Sequence, residues 1–319
     1  MTIVHVPELY CPFPPAVNRA VDLVDAGAVE WARQWYLLPT EAAYVHLSAA
    51  RLGWLAARTH PRATQDALQL VADWLAWFFI RDDYWDDVGL GRKPDEIERL
   101  DTQLLAVLHH GMAGPRAEPL AGALADLWQR TRQVTSSRWQ ARFVSNLEAF
   151  FQAGRWEAAN RVQADVPSVL TYIAMRPFTG GLYAYLDLYD WTERIDLPAF
   201  TREHPAMVRL RLLANHIVCW TNDLLSFAKE SQQQDVHNLV LTLRHHHRIS
   251  LQEAIDRAVA IHDSDVREFI DTASQLPTWG VVIDAQVHHY VTVLSTFIRG
   301  HHDWAMLSQR YIMANALGA

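Results

Sequence analysis

The sequence predicts an all-α protein. Apolar side chains recur at intervals of three and four residues, which is the spacing of one face of an α-helix. Two such sets are Ala67, Leu70, Val71, Trp74 and Phe78, and Leu210, Leu213, Ile217, Trp220 and Leu224. The alternation of apolar and polar residues that is typical of strands is absent. Half of the 319 residues are hydrophobic and 20% are charged, so the chain can bury one large core.

The predicted helices follow one another along the whole chain. They span residues 16–37, 41–59, 64–87, 95–111, 117–135, 138–161, 168–187, 205–231, 236–247, 251–275 and 280–308. Thr64 is a predicted N-cap, and Asp95 with Glu98 resembles a capping box at the start of the next helix. Because proline and glycine are scattered singly and no repeat is found, we expect one domain over residues 1–319.

Composition and charge exclude several classes of protein. Lys and Arg number 28 against 36 Asp and Glu, a formal net charge of −8 that disfavours a nucleic-acid partner. Two cysteines, Cys11 and Cys219, are too few for a disulfide framework, and the N-terminus lacks a signal-peptide pattern. A cytoplasmic location is therefore expected. The apolar stretch from Trp74 to Ile80 is too short to span a membrane, so we expect no stable membrane insertion.

An acidic cluster ends the helix predicted over residues 64–87. Residues 82–87 read Asp-Asp-Tyr-Trp-Asp-Asp, directly after an aromatic stretch. Asp82 and Asp86 are four residues apart, so on a helix they project side by side. Their oxygens suit a hard cation such as Mg²⁺, which would also offset acidic charge at the negative end of the helix dipole. A solvated acidic helix end is the alternative interpretation.

A second set of oxygen ligands lies in the helix predicted over residues 205–231. Asn222, Ser226 and Glu230 are spaced by four and form one polar stripe that offers an amide oxygen, a hydroxyl and a carboxylate. Lys229 adds a cation beside the stripe, which makes sense if an anion such as diphosphate bridges metal and lysine. Ordinary polarity of an amphipathic helix is the alternative.

Together these motifs resemble those of class I terpene synthases, in particular the bacterial sesquiterpene cyclases. Residues 82–86 are similar to the family's aspartate-rich motif, and residues 222–230 are similar to its Asn/Ser/Glu metal-binding motif. Residues 176–181, Arg-Pro-Phe-Thr-Gly-Gly, resemble the family's helix break, and the pair Arg310-Tyr311 stands near the C-terminus. The resemblance covers most of the chain and implies a single helical bundle around a central apolar cavity.

The resemblance also implies roles for individual residues. Three Mg²⁺ ions would be held by Asp82, Asp83 and Asp86 on one side and by Asn222, Ser226 and Glu230 on the other. The diphosphate would be contacted by Arg176, Lys229, Arg310 and Tyr311. Gly180 matches the position whose carbonyl promotes ionisation in the family, whereas Thr179 departs from the Asp that often precedes it.

The chemistry implied is that of a lyase that breaks the carbon–oxygen bond of a prenyl diphosphate. The resulting carbocation must be kept from water in an apolar pocket, where aromatic faces stabilise it. Phe78 and Phe79 are the preferred pocket candidates, because they precede Asp82 by about one helical turn. Trp304 is similar to a pocket aromatic of the family, although core packing explains it equally well.

The histidine-rich segments and residues 235–238 are predicted to have structural roles and not to bind a metal. Runs at 245–247, 288–289 and 301–302 are predicted at the surface, because adjacent histidines point apart on a helix and the oxygen stripes favour Mg²⁺ over a transition metal. Residues 235–238, Asp-Val-His-Asn, are predicted to turn and to cap the following helix.

The expected reaction is the cyclisation of farnesyl diphosphate to a sesquiterpene hydrocarbon or alcohol, with release of diphosphate. A monoterpene or diterpene synthase is the nearest alternative. A chain-elongating prenyltransferase would carry a second aspartate-rich motif where this chain has Asn, Ser and Glu. A noncatalytic isoprenoid-binding protein is a further alternative, and the chain is expected to be a monomer or a homodimer.

Overall fold

A computed structural model describes residues 4–87, 93–233 and 235–308 of the chain, and within this part it leaves out the side chains of residues 84–87. The described part contains α-helices and no strand, which confirms the predicted all-α class. In chain order the helices are α1 (Val21–Gln34), α2 (Glu41–Ala50), α3 (Leu52–Thr59), α4 (Gln65–Asp87), α5 (Pro94–His110), α6 (Pro119–Val134), α7 (Ser137–Gln163), α8 (Val169–Thr179), α9 (Leu182–Thr192), α10 (Ala199–Arg202), α11 (Pro205–Gln232), α12 (Leu239–His247), α13 (Leu251–Ser274) and α14 (Val281–Leu307).

The helices form two compact units. The first unit consists of Val17–Asp165 and Gly181–Thr192, and the second contains the chain before Val17, Val166–Gly180 and the chain from Glu193 onward. In the first unit α4 is the central helix and packs against α1, α3, α6 and α9. In the second unit α11 has the central place and packs against α8, α12, α13 and α14.

The core of the first unit is unusually aromatic around α4. Trp74 and Trp77 are completely buried and pack edge to face, with ring centroids 6.0 Å apart. Each indole N–H finds an acceptor, Thr131 Oγ1 at 2.9 Å and Leu120 O at 3.0 Å respectively, so burial leaves neither donor unpaired. This packing fixes the helix whose last turn carries the acidic cluster.

Two predicted helices are broken in the structure. The helix predicted over 41–59 divides into α2 and α3 at Arg51, whose backbone is left-handed with φ 53° and ψ 53°. The helix predicted over 168–187 divides into α8 and α9 at Gly180 and Gly181, where φ of Gly181 is +66°. Apolar spacing continues across Arg51, so periodicity did not reveal that break, whereas the break at Gly180 and Gly181 lies in the segment that resembles the family's helix break.

The predicted helix ends were right in most places. Thr64 caps α4 as predicted, since its Oγ1 accepts the Ala67 N–H at 3.4 Å. The capping box at Asp95 is wrong, because Pro94 already occupies the first turn of α5 and the N-cap is Lys93, whose side chain makes no capping bond. No helix in the described part is both long and apolar enough to cross a membrane.

Candidate functional site

The acidic cluster occupies the last turn of α4, as predicted. Asp82 is exposed and Asp83 is half-buried, while Phe78 and Phe79 lie half-buried one turn earlier. The Phe78 ring packs 5.7 Å from Trp74 and 5.9 Å from Phe150, so it joins the aromatic core to the acidic turn. Asp86 belongs to α4, but its side chain lies outside the described residues.

The residue directly before Asp82 in the sequence is a buried arginine. Arg81 is 1% exposed, and its Nη2 donates to Asp101 Oδ1 at 3.0 Å. The second oxygen of Asp101 accepts from Arg155 Nη1 at 2.8 Å. The Arg81 guanidinium also lies 4.5 and 4.6 Å from the ring centroids of Phe150 and Phe151, as in a cation–π contact. These contacts tie the acidic end of α4 to α5 and α7.

The predicted oxygen stripe lies along α11. Ser226 is buried, and Asn222 and Glu230 are half-buried. The Ser226 hydroxyl donates to the backbone carbonyl of Asn222 at 2.8 Å, and Glu230 Oε2 accepts from Asn238 Nδ2 at 2.7 Å. The stripe therefore combines an amide oxygen, a hydroxyl and a carboxylate on one helix, a donor set that fits a hard divalent cation.

Arg176 connects α8 to this stripe. Its Nη2 donates to Asn222 Oδ1 at 2.8 Å, and both Nε and Nη2 donate to Asp223 Oδ1, at 3.0 and 2.9 Å. The other oxygen of Asp223 accepts from the Tyr172 hydroxyl at 2.6 Å and from the Leu239 N–H at 2.9 Å. The fold thus brings together two residues, Arg176 and Asn222, that the sequence singled out separately.

The electrostatics of this region favour an added cation. Burial, together with the nearby carboxylates of Asp223 and Asp235, raises the pKa of Glu230 to about 8, although Arg176 and Asn238 act in the opposite direction. Burial likewise raises the pKa of Asp223, although Arg176 and Tyr172 oppose the shift. The surrounding protein therefore does not fully compensate the charge of Glu230, as is expected for a carboxylate that meets a metal ion.

The break between α8 and α9 holds the next predicted residues. Gly180 ends α8 with φ −73° and ψ −9°, and its N–H donates to Arg176 O at 3.1 Å. Thr179 is buried, with its Oγ1 3.5 Å from Arg176 Nη1. Arg176, Thr179 and Gly180 therefore lie together at the end of one helix.

Four further predicted site residues are Lys229, Trp304, Arg310 and Tyr311. Lys229 is half-buried on α11, and Trp304 is 1% exposed on α14, which makes it a core residue of its unit. Arg310 and Tyr311 lie outside the described residues. Three residues that contact the predicted site were not singled out beforehand for that role, namely Tyr172, Asp223 and Asn238; of these, only Asp223 carried a hint, because it lies inside the Asn/Ser/Glu motif.

The histidine predictions are correct in part. His245, His246 and His247 are exposed as predicted, but His301 is buried because it faces the core that α14 forms with α11. Residues 235–238 do cap the next helix, since Asn238 accepts the N–H groups of Val240 and Leu241. Among the described residues, no three His, Cys, Asp or Glu side chains are grouped so that they could hold a metal ion. The stripe on α11 is not such a group, since only one of its three side chains, that of Glu230, is a carboxylate.

Comparisons with known proteins agree with the motifs. A family model described as terpene synthase family 2, C-terminal metal binding, matches residues 73–268. The chain is similar to a (+)-T-muurolol synthase ((2E,6E)-farnesyl diphosphate cyclizing) of Roseiflexus castenholzii, with 38% identity over 304 residues that cover 95% of this chain and 93% of the relative. It is 34% identical to a germacrene A synthase of Nostoc punctiforme, over 96% of this chain and 94% of that protein.

Solved structures show the same likeness in three dimensions. The crystal structure of germacradien-4-ol synthase from Streptomyces citricolor superposes with a TM-score of 0.83 at 26% identity, covering 95% of this chain and 99% of that one. The crystal structure of an α-eudesmol synthase gives a TM-score of 0.86 at 24% identity, over 95% and 99% of the two chains, which supports the fold.

The family match includes the acidic turn of α4, Arg176 and the stripe on α11. Because the matching region is described by its metal binding, the protein depends on a divalent metal. Its relatives are lyases, and its fold is that of the class I enzymes. On these findings together, the chain belongs to the terpene synthase family.

Proposed function

We propose that the protein is a Mg²⁺-dependent sesquiterpene cyclase that ionises farnesyl diphosphate and releases diphosphate and a cyclic hydrocarbon or alcohol. The observation that carries the proposal is the hydrogen bond from Arg176 to Asn222, because it joins the arginine that we propose as a diphosphate contact to the stripe that we propose as metal ligands. The names of the relatives support the substrate, since the (+)-T-muurolol synthase is described as cyclizing farnesyl diphosphate.

The metal ligands that we propose are those of the two motifs. They are Asp82, Asp83 and Asp86 on α4, and Asn222, Ser226 and Glu230 on α11, for three Mg²⁺ ions in all. When bound, Mg²⁺ neutralises the negative charge that develops on the diphosphate oxygens. The mixed donor set on α11 and the raised pKa of Glu230 support this assignment.

The protein's own cations assist the departure of the leaving group. As the allylic C–O bond breaks, its electron pair goes to the diphosphate oxygen, and Arg176, Lys229, Arg310 and Tyr311 donate hydrogen bonds to the group that gains this charge. Donors that bind the departing diphosphate more strongly in the transition state than in the bound substrate lower the barrier, and that difference accelerates ionisation. Gly180 lies one helical turn after Arg176, so we propose that its carbonyl responds when Arg176 binds the diphosphate.

The carbocation requires aromatic and apolar contacts and no water. We propose that Phe78, Phe79 and Trp304 contact the isoprenoid chain, where an aromatic face stabilises a desolvated cation by about 2 kcal/mol. We further propose that the two units act as one catalytic domain, as a monomer or homodimer in the cytoplasm.

The proposal is tested by incubating the protein with Mg²⁺ and, separately, geranyl, farnesyl and geranylgeranyl diphosphate. We expect one or more cyclic C15 products from farnesyl diphosphate by gas chromatography with mass spectrometry, together with diphosphate release that EDTA abolishes. Products from another chain length alone would contradict the sesquiterpene assignment. Longer diphosphates formed when isopentenyl diphosphate is added would indicate a prenyltransferase, and binding without diphosphate release would indicate a noncatalytic protein.

The site assignment makes a separate prediction. Asp82→Ala and Asn222→Ala should each lower the rate of diphosphate release about 100-fold or more, because each removes a ligand from a metal that offsets leaving-group charge. Asp66→Ala is the matched control, since Asp66 is exposed in the first turn of the same helix, α4. Near-normal release by Asp82→Ala or Asn222→Ala would contradict the assignment of that residue.

A further inference from the structure

Asn238 lies between α11 and α12 and is completely buried. Its Oδ1 accepts the N–H groups of Val240 at 2.8 Å and Leu241 at 3.4 Å, which is an N-cap for α12. Its Nδ2 donates to the carbonyl of Asp223 at 2.8 Å and to Glu230 Oε2 at 2.7 Å. Both amide hydrogens and the amide oxygen are therefore engaged, and one side chain joins the cap of α12 to two residues of α11.

The bond to Glu230 has a consequence beyond packing. Among the residues that the structure describes, Asn238 is the side chain that donates a hydrogen bond to the Glu230 carboxylate. A donor on one oxygen restricts rotation of the carboxylate, so the other oxygen keeps a defined direction in which it can bind a metal. The two neighbouring acids are occupied elsewhere, Asp223 by Arg176 and Tyr172, and Asp235 by the backbone at residues 236 and 237.

We propose that Asn238 is a positioning residue, which holds the Glu230 carboxylate ready to bind a divalent cation. The proposal rests on the proposed role of Glu230 as a metal ligand. Asn238 does not touch the metal or the substrate itself, and it acts through the 2.7 Å bond to Glu230 Oε2. Groups that orient a metal ligand in this way typically contribute 10- to 100-fold to metal affinity or activity.

The two tasks of Asn238 can be separated by substitution, because the cap needs an acceptor whereas the bond to Glu230 needs a donor. Asn238→Asp and Asn238→Ser keep an oxygen that caps α12, since Asp and Ser are also favoured N-caps. Asp cannot donate to Glu230 and adds a like charge, whereas Ser is uncharged but too short to reproduce the amide. Asn238→Ala loses both the cap and the donor.

The experiment measures Mn²⁺ affinity in the presence of inorganic diphosphate, by titration calorimetry or electron paramagnetic resonance, beside the Mg²⁺ dependence of turnover and the unfolding midpoint. We expect Asn238→Asp and Asn238→Ser to weaken Mn²⁺ binding about tenfold or more, with Asp the worse. Their unfolding midpoints should fall less than that of Asn238→Ala. Wild-type Mn²⁺ affinity in both capping variants would overturn the proposal, because a purely structural cap would behave in that way.

Glu230→Gln separates a failure of this inference from a failure of the proposed function. If Glu230→Gln binds Mn²⁺ like the wild type, Glu230 is not a ligand and the proposed site is wrong. If Glu230→Gln is impaired while both capping variants are not, only the positioning role of Asn238 is wrong. If the capping variants also lose stability, the Mn²⁺ affinity of the double variant Glu230→Gln/Asn238→Ser distinguishes a positioning role of Asn238 from a general loss of structure. Additive losses of Mn²⁺ affinity would overturn the proposal, and a loss no larger than that of Glu230→Gln alone would support it.

Discussion

The guanidinium of Arg176 serves two neighbours on α11 at once. Nη2 contacts both Asn222 and Asp223, and Nε adds a second bond to the same oxygen of Asp223. Asp223 is fully buried, and only 13% of the Arg176 side chain is exposed. A lysine is a point donor that cannot reproduce this planar fork, so the charge of Asp223 would lose much of its compensation.

Arg176→Lys should therefore cost both stability and activity. We expect the free energy of unfolding to fall by about 2 to 3 kcal/mol, because lysine keeps the charge but cannot make all three bonds of the fork, so the buried Asp223 carboxylate loses donors. Arg209→Lys is the control. Arg209 makes a similar two-bond pair with Glu268, but these side chains are 38% and 45% exposed, so the loss should stay below about 1 kcal/mol. Equal losses in urea unfolding would show that the burial of Asp223 does not matter.

At this scale the sequence singled out candidate residues but not their partners. Asn222 and Glu230 were singled out by their chemistry and spacing along the chain, and Arg176 by the family resemblance of residues 176–181. Tyr172 was missed because its partner Asp223 is 51 residues away, and only the packing of α8 on α11 brings them together. His301 was placed at the surface because a histidine pair gives no sign of which ring faces the core.

Among the helices, the break between α8 and α9 depends on two adjacent glycines with different backbones. Gly181 has φ +66°, a left-handed conformation, and a Cβ added there would lie 3.3 Å from the Phe150 ring. Gly180 has φ −73°, and its added Cβ would lie 3.2 Å from Cys219 Sγ. Both positions are crowded, but only Gly181 has a backbone that L-residues avoid.

Gly181→Ala should be the more damaging of the two substitutions. We expect it to lower the free energy of unfolding by about 1 to 2 kcal/mol, the cost of a left-handed alanine, before any displacement of Phe150 is counted. Gly180→Ala serves as the matched variant, because its backbone is allowed for alanine and only the contact with Cys219 must relax. Denaturant unfolding of both variants measures the difference, and a larger loss for Gly180→Ala would show that packing outweighs backbone conformation at this break.

The break at Arg51 was the main feature that the sequence did not predict at this scale, whereas the family resemblance of residues 176–181 had implied the break between α8 and α9. At Arg51 the chain turns through a left-handed arginine, a conformation for which no glycine or proline gives warning. Leu47, Ala50, Leu52 and Leu55 are all buried around that turn, so the apolar spacing continues as if one helix were intact. The presence of helices followed from periodicity, whereas the break at Arg51 lies between two helices, α2 and α3, that each pack against α1.

For the whole molecule, the division into two units could not be read along the chain. The chain passes from one unit to the other at four positions, Ala16–Val17, Asp165–Val166, Gly180–Gly181 and Thr192–Glu193. The sequence at these positions is not rich in the residues that are typical of linkers. Each unit is assembled from segments far apart in sequence, so contacts define it rather than a boundary. The prediction of one domain over residues 1–319 therefore stays a prediction.

The stability of the whole molecule should depend on pH, because buried histidines and buried carboxyls change it in opposite directions as pH falls. Burial lowers the pKa of His60 to about 3, of His301 to about 3 and of His216 to about 4. Burial raises the pKa of Asp73 to about 6 and, with nearby carboxylates, that of Glu230 to about 8. As pH falls, the unfolded chain binds protons at these histidines before the folded chain does, so the histidines lower the stability of the fold. The two carboxyls bind protons more readily in the folded chain than in the unfolded chain, so they raise its stability.

Because these effects overlap, a difference between two proteins is more informative than one pH profile. His60 is completely buried and stacks on Tyr189, with ring centroids 4.0 Å apart and planes 9° apart. His60→Phe keeps a stacked ring and removes the titration, while the lost contacts of Nδ1 with Thr59 and Tyr185 cost the same at every pH at which those hydroxyls stay neutral. Only the histidine term then differs between the two pH profiles.

The sign of that term follows from its depressed pKa in the folded state. Between pH 6.5 and about 3 the unfolded chain binds a proton at His60 and the folded chain does not, so wild-type stability falls as pH falls. From pH 6.5 to pH 5 the wild type should lose about 1.6 kcal/mol relative to His60→Phe, because the slope rises from about 0.7 kcal/mol per pH unit at pH 6.5, where the unfolded histidine is half protonated, to nearly 1.4 at pH 5. Urea unfolding of both proteins at several pH values measures this change. Parallel profiles would mean that His60 is protonated inside the fold, and then its stacking on Tyr189 must tolerate a cation.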